Sequence, residues 1–519
     1  MAIHMDKDPE GQGGNENKRR EGGGGGGLGG LTKFLPIVLF FLFKKPKLVI
    51  GLLIVAAVFY FVSGGDFSSL LGDGDGGGES QNSPLFMGAD LNKDEYEKAM
   101  IYEPLAAGNN NKLPTKVSLL EYAPTRLSQG RQGSCVGWAS AYAARTILHA
   151  KATGQSPDDA TFSPAYLYNQ IALTGCQGAY INEAMKSMRS EGGLPLPEFE
   201  YDEGSCSRKP NARERSKGEN FRIRGYDRLS MNSNKSAVNS LAVKQNLAQG
   251  APVVIGMMVG GTFMSGMYNK DVWNPSSSDY KQSGFGGHAM CVIGYDDNKS
   301  GGAFQIMNSW GESWGNKGVG WVKYGDFKEF VREAYGLYPM GSNNDAPPSK
   351  MKISFGLVDY KKQEFVALQK VEGNVFRSVR KAAAKDRFKI QVTNNVACYT
   401  YIFNEEADGV SNVLFPYNEK SSPYCGITGT RLFPKDYSLV PDDVGSRDRI
   451  AVLITKEEID YNEIKRRINE GSGSFANKVN SALSGQIVAN VTFEASEYIT
   501  FEGDMKGGNA VAMIIEIDK

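Results

Sequence analysis

Histidine is nearly absent from this chain: three of 519 residues, His4, His149 and His288. Any reaction that needs an imidazole therefore has at most three candidates for it. Net charge is absent as well. Lys and Arg total 58, Asp and Glu total 58, and no basic patch stands out, so nothing points to nucleic acid as a partner. Cysteine is scarce, with six residues in all. Glycine is plentiful at 62 residues, clustering in the first 80. The length is too great for one ordinary domain and suggests about three.

Residues 1–33 read as a disordered, glycine-rich tail carrying Lys18-Arg19-Arg20 and Gly22–Gly27. Two apolar runs follow, Phe34–Phe43 and Leu48–Val62, separated by Lys44-Lys-Pro-Lys47. A spanning helix needs about 20 apolar residues. The second run approaches this when extended through Ser63-Gly64-Gly65, whereas the first is short and contains Pro36. Residues 34–65 are thus expected to be a membrane segment with one spanning helix at about 47–65; a two-pass hairpin is the alternative. The n-region is too long, and Val62-Ser-Gly-Gly too poor a cleavage site, for a signal peptide. Lys33, Lys44, Lys45 and Lys47 precede the span and Asp66, Asp73 and Asp75 follow it. The excess of cations before the span puts the N-terminus in the cytoplasm and the rest in the periplasm or outside the cell. Residues 66–114 read as a flexible tether, and 341–350 (GSNNDAPPSK) as an inter-domain linker.

Between tether and linker, three segments carry chemistry. The first is Gln129-Gly-Arg-Gln-Gly-Ser-Cys135-Val-Gly-Trp138. Gly287-His288-Ala-Met follows about 150 residues later, and then Asn308-Ser309-Trp310-Gly311. A thiol becomes a nucleophile only as thiolate. Residues 136–151 (VGWASAYAARTILHAK) are rich in helix formers, so Cys135 should open a helix, whose N-terminal partial charge favours the thiolate. His4 lies before the membrane segment. His149 is 14 residues along the Cys135 helix, roughly 21 Å away at 1.5 Å per residue. His288 remains as base. His288–Tyr295 and Ala303–Asn308 read as strands joined by the turn Asp296–Gly302. A turn centred near residue 299 pairs 288 with about 310. Asn308 can then orient the ring while Ser309 and Trp310 flank it, Trp310 shielding the contact from water. Gly133-Ser-Cys135-Val-Gly137 also fits a nucleophile elbow, but the residues before it are polar and form no apolar strand.

These segments resemble the papain family of cysteine peptidases over roughly residues 115–340. Softer matches are Phe162-Ser-Pro-Ala-Tyr-Leu-Tyr168, Gly175-Cys176-Gln-Gly178 and Gly250-Ala-Pro-Val-Val-Ile255. The resemblance implies a two-lobe α+β fold, one lobe helical and one β-barrel-like. It implies Cys135 as nucleophile, His288 as acid/base, Asn308 as orienter and Gln129, six residues before the Cys, as oxyanion donor, with no metal or cofactor. The chain departs from the plant and lysosomal pattern in two places. Val136-Gly137 separates Cys135 from Trp138, and Gln132 stands where those members have a structural cysteine. Both departures suggest a divergent bacterial-type branch. No long helical prodomain pattern precedes residue 115.

Residues 351–519 alternate polar and apolar in short runs such as Arg387-Phe-Lys-Ile-Gln-Val392, with one helical stretch at 457–484. A mostly-β, sandwich-like domain is expected. It looks like a bacterial domain of unknown function that recurs behind caspase-like peptidases and kinases, and reads as a binding or spacing module for an unidentified envelope partner. Of the six cysteines, Cys135 must stay free and Cys291 reads as a small core residue. In an oxidising compartment the remainder should pair within their domains, Cys176 with Cys206 and Cys398 with Cys425. The whole reads as a membrane-anchored cysteine endopeptidase acting on proteins or peptides outside the cytoplasm. The alternative is a catalytically inactive papain-like envelope protein that serves as a binding or assembly module.

Overall fold

Alanine supplies the chain's central helical run. Ala139, Ala141, Ala143, Ala144 and Ala150 lie in a continuous succession that begins with Cys135–Gly137, is wound as a π-helix over Trp138–Arg145, and ends with Thr146–Thr153. Gly154 stops it in the left-handed conformation (φ 73°), which glycine adopts without a Cβ clash. The run is apolar nearly all round and accordingly buried. This is a computed structural model, and it describes residues 4–8, 87–106, 111–340, 350–383, 385–488, 491–505 and 507–519. The expected membrane segment 34–65, the remainder of the tail, residues 66–86 of the tether and 341–349 of the linker lie outside the described residues. Among the described residues no helix is long and apolar enough to cross a membrane.

Two further helices pack against the central run. Pro164–Ile171 starts with proline at its first position and is capped by the Ser163 hydroxyl. Ile181–Ser190 buries Ile181, Ala184, Met185 and Met188, the i, i+3, i+4, i+7 stripe of an amphipathic helix. Cys176 and Cys206 form the expected disulfide in this lobe.

The facing lobe is an antiparallel sheet in the order Tyr226–Arg228, Val331–Leu337, Val253–Val259, Gly286–Asp296, Ala303–Met307, Val319–Lys323. The hairpin pairs Cys291 with Met307 and Val292 with Ile306, the same sum of residue numbers as 288 with 310. Cys291 is fully buried in this sheet, as a core residue should be.

The C-terminal region is a sandwich of two sheets. One is ordered Tyr437–Val440, Phe388–Asn394, Lys350–Asp359, Ile499–Asp504, Phe493–Ala495. The other is ordered Leu368–Glu372, Val375–Ser378, Ala510–Asp518, Arg447–Thr455, Cys398–Glu405, Ser411–Phe415. Phe355, Ile390, Ile402, Val452 and Met513 are among the residues of its buried core. The single expected helical stretch is two helices, Tyr461–Glu470 and Phe475–Ala482, with Ile464, Ile468 and Val479 laid on Tyr401, Phe403 and Leu453.

Three expectations are corrected here. Residues 4–8 of the supposedly disordered tail form a strand, His4–Lys7, paired antiparallel with Tyr437–Val440. The tether is bound over residues 87–106, where Tyr96, Ala99, Tyr102 and Leu105 are buried apolar anchors. Its Met100 and Tyr102 exchange backbone hydrogen bonds with Arg228, while Ile101 exchanges them with Lys420 and Ser422 of the sandwich. Cys398 and Cys425 stand directly opposite on paired strands yet remain free thiols. Both are enclosed in the sandwich core, where Cys425 Sγ lies 3.3 Å from Thr400 Oγ1.

Candidate active site

Cys135 sits at the first position of the central helical run. The preceding residue, Ser134, does not cap the helix; its hydroxyl meets the Tyr201 hydroxyl at 2.6 Å. The first-turn N–H groups thus stay directed at the thiol. His288 comes from the long central strand and Asn308 from the end of its hairpin partner. The Asn308 Oδ1 accepts the Ser309 backbone N–H at 2.8 Å and lies 2.8 Å from His288 Nε2. Because a backbone N–H can only donate, that oxygen is fixed as an acceptor, so Nε2 carries the ring proton toward it. In the neutral ring, Nδ1 then holds the lone pair. Trp310 stacks on the imidazole, centroids 4.3 Å apart and planes at 22°. His288 Nδ1 and Asn308 Nδ2 have no hydrogen-bond partner among the described residues. The Cys135 sulfur instead accepts the Ala289 N–H at 3.3 Å.

Gln129 is brought to the same place from the opposite lobe. Its backbone N–H donates to Ser309 O (2.9 Å) and its Oε1 accepts the Ser309 hydroxyl (2.7 Å). Its Nε2, the group expected to donate to an oxyanion, donates here to Gln132 O at 2.9 Å. Tyr201, which the sequence did not single out, donates to Gln129 O at 2.7 Å and thereby ties Gln129 to Ser134. His149 lies outside the site, half-buried between the rings of Phe162 and Phe221. The structure thus gathers Cys135, His288, Asn308, Gln129, Ser309 and Trp310, and excludes His149.

The thiol and the imidazole are both completely buried. Burial pushes the Cys135 thiol up to about 12, only partly opposed by the N–H groups of Ala289, Val136 and Cys135 itself. Burial pulls His288 down to about 4, with Asn308 acting in the opposite direction. In this state the pair is an uncharged thiol and an uncharged imidazole rather than an ion pair.

Residues 87–90 run across the cleft. The N–H groups of Gly88 and Ala89 donate to Gly287 O (3.4 and 3.1 Å). The Ala179 N–H donates to Gly88 O at 2.9 Å, and the Asp90 N–H to Ala179 O at 3.1 Å, so the segment lies parallel to its neighbour at Ala179. Glycine permits this approach. A Cβ on Gly178 would come 2.7 Å from Gly88 O, and one on Gly287 2.2 Å from Ala89 O. Among the described residues no cluster of His, Cys, Asp and Glu suits a metal ion.

Residues 122–339 match the family described as papain family cysteine protease, and this stretch is a papain-like domain. Residues 383–458, within the sandwich, match a domain of unknown function, DUF4384. The chain is similar to cathepsin K of Mus musculus, 27% identical over 230 residues (43% of this chain, 63% of the relative). It is similar to pro-cathepsin H of Bos taurus, 27% identical over 202 residues (38% and 55%). The chain therefore spans less than two thirds of the length of either. Among solved structures, xylellain, a cysteine protease from Xylella fastidiosa, matches at TM-score 0.40 and 24% identity, covering 51% of this chain and 98% of that one.

Proposed function

We propose that the chain is a latent, membrane-anchored thiol endopeptidase that hydrolyses peptide bonds in proteins or peptides outside the cytoplasm. Cys135 attacks the scissile carbonyl carbon and its proton passes to His288 Nδ1. The Cys135 backbone N–H and the Gln129 side-chain amide receive the oxyanion once Gln129 Nε2 turns from Gln132 O. The imidazolium then protonates the leaving amine, giving a thioester. Water activated by the same ring hydrolyses that thioester, releasing the acid and restoring the thiol. Asn308 holds the ring tautomer, and Trp310 keeps water from that contact.

The observation that carries the catalytic reading is the His288–Asn308 hydrogen bond under Trp310, beside a thiol at a helix N-terminus. The Cys176–Cys206 bridge supports an oxidising compartment for the peptidase lobe. Latency rests on residues 87–90, which cross the cleft and hydrogen-bond to Gly287 and Ala179 on its two sides. The covered, uncharged thiol also favours the competing reading, an inactive fold that serves as a binding module. Hydrolysis of a quenched fluorogenic protein substrate by the full chain, with and without Cys135→Ala, separates the two. The catalytic reading requires turnover that the variant loses; equal signals from both chains would leave only the binding module.

A further inference from the structure

The strand His4–Lys7 is held by charge and backbone rather than by apolar burial. All four of its residues are exposed. Its register against the sandwich edge is His4↔Val440, Met5↔Leu439, Asp6↔Ser438 and Lys7↔Tyr437. Asp6 and Asp8, two residues apart and so on one face of an extended chain, meet Arg387 and Lys389, also two apart. Arg387 pairs with the Asp6 carboxylate and reaches Asp6 O and Lys7 O at 3.4 and 3.3 Å. Lys389 is only 5% exposed. Its ammonium lies 2.7 Å from Asp8 Oδ2, with Pro434 O, Lys435 O and Tyr437 O at 2.9, 3.0 and 2.6 Å around it. The Ser438 hydroxyl donates to the other Asp8 oxygen, and the Asp8 N–H to Asp436 O at 3.3 Å. Three carbonyls orient the ammonium but do not neutralise it. A buried cation without a counter-charge is costly; Asp436 and Glu103 act on this one without a hydrogen bond to it, and the carboxylate of the added strand is the one in contact.

We propose that the outer edge of Tyr437–Val440, backed by Arg387 and Lys389, is a strand-addition site for an extended Asp-x-Asp peptide, with the chain's own residues 4–8 as its resident ligand. Main-chain pairing gives the site affinity for any extended segment, and the two cations give it selectivity for acidic ones. Residues 4–8 and 437–440 of one chain share a sheet only on one side of a membrane, so this assignment and a single span with a cytoplasmic N-terminus exclude each other.

The test uses the full-length protein in its own membrane. Lys7→Cys and Tyr437→Cys place thiols at a directly opposed pair, within the span of a short bismaleimide. Treating intact membranes with that crosslinker is expected to link the two positions within one chain, as read by mass mapping. A link only between chains, or none in the double variant, overturns the resident-ligand assignment. Ligand class is tested with a fluorescent peptide of residues 1–10 added to the full chain carrying Asp6→Asn and Asp8→Asn, which weakens the resident strand. Saturable binding is expected, at least tenfold weaker for a peptide with both aspartates changed to asparagine and weaker again in high salt. Equal binding of the two peptides, or none of either, contradicts the acidic-strand site.

Discussion

Gly88 lies against Gly133, two residues before the thiol. A Cβ built on Gly88 would stand 2.0 Å from Gly133 O and 2.3 Å from its carbonyl carbon. No side chain fits there, and Gly178 and Gly287 meet the segment as closely, so the piece of chain that crosses the cleft beside Cys135 depends on three glycines. The same segment continues into buried Tyr96, whose hydroxyl lies 2.7 Å from Ser230 Oγ, and then into the seam between the peptidase domain and the sandwich. Cover and seam are therefore one continuous piece of chain.

His288→Ala should abolish turnover, whereas His149→Ala should leave the activity of each folded molecule intact. His149 packs against Phe162 and Phe221, so its loss should act on stability, on the order of 1 kcal/mol. Steady-state kinetics normalised to folded protein, alongside thermal unfolding, separate the two effects. Loss of turnover in the His149 variant and retention in the His288 variant would reverse the assignment.

Gln129→Ala should lower kcat by roughly 10²–10³ with a smaller change in KM, the usual effect of removing one oxyanion donor. Ser309→Ala should cost less. It frees Gln129 Oε1, but the Gln129 N–H to Ser309 O bond survives. An unchanged kcat in the Gln129 variant would remove that residue from the chemistry.

Stability should fall as pH rises through neutrality. Burial raises Asp227 to about 7, and Glu103 and Glu333 to about 8. Lys435 and Arg431 oppose the shift at Glu103. The Tyr338 and Ser422 hydroxyls and Arg189 oppose it at Asp227. At Glu333 the Tyr335 hydroxyl opposes it, while Asp90 adds to it. Each group is protonated when folded but ionised near pH 4–4.5 when unfolded, so unfolding releases protons. The stability they give is complete at low pH and is lost as pH climbs to about 8. The unfolding midpoint should decline from pH 5 to pH 9, and Glu103→Gln should flatten that decline. A midpoint that rises over this range would contradict the sign.

Non-reducing peptide mapping should recover one linked pair, Cys176–Cys206, and should find Cys398 and Cys425 alkylated only after unfolding. In the chain-entropy model, reducing that bridge should destabilise the first lobe by about 3–4 kcal/mol. A linked Cys398–Cys425 pair would restore the symmetrical pairing expected from the sequence.

The placement of the candidate site residues was legible because the proposed chemistry demands particular residue types and the hairpin obeys simple arithmetic. A turn centred near 299 puts 308–310 opposite 288, and the observed register agrees. His149 could be set aside on helical rise alone. The orientation of Gln129 Nε2 toward Gln132 O was not legible, since it depends on how two lobes close. The cover was missed because a stretch rich in Gly, Ser, Asp and Asn looks like a linker. Its anchors, Tyr96, Tyr102 and Leu105, follow neither the helical nor the strand period. The strand His4–Lys7 was missed for a related reason. It carries no apolar pattern, and its partners lie more than 400 residues away. The free thiols Cys398 and Cys425 show that cross-strand opposition does not by itself make a bridge.

Covalent labelling of Cys135 by a thiol-directed epoxysuccinyl inhibitor, followed by intact-mass spectrometry, tests latent catalysis most directly. The comparison is between the unaltered chain, Gly88→Val, and Gly88→Val combined with His288→Ala. Valine cannot seat against Gly133, so the single variant should react at least tenfold faster than the unaltered chain, and the double variant should lose that gain. Equal, slow labelling of all three chains, with the fold intact by circular dichroism, would contradict both the cover and the Cys135–His288 pair.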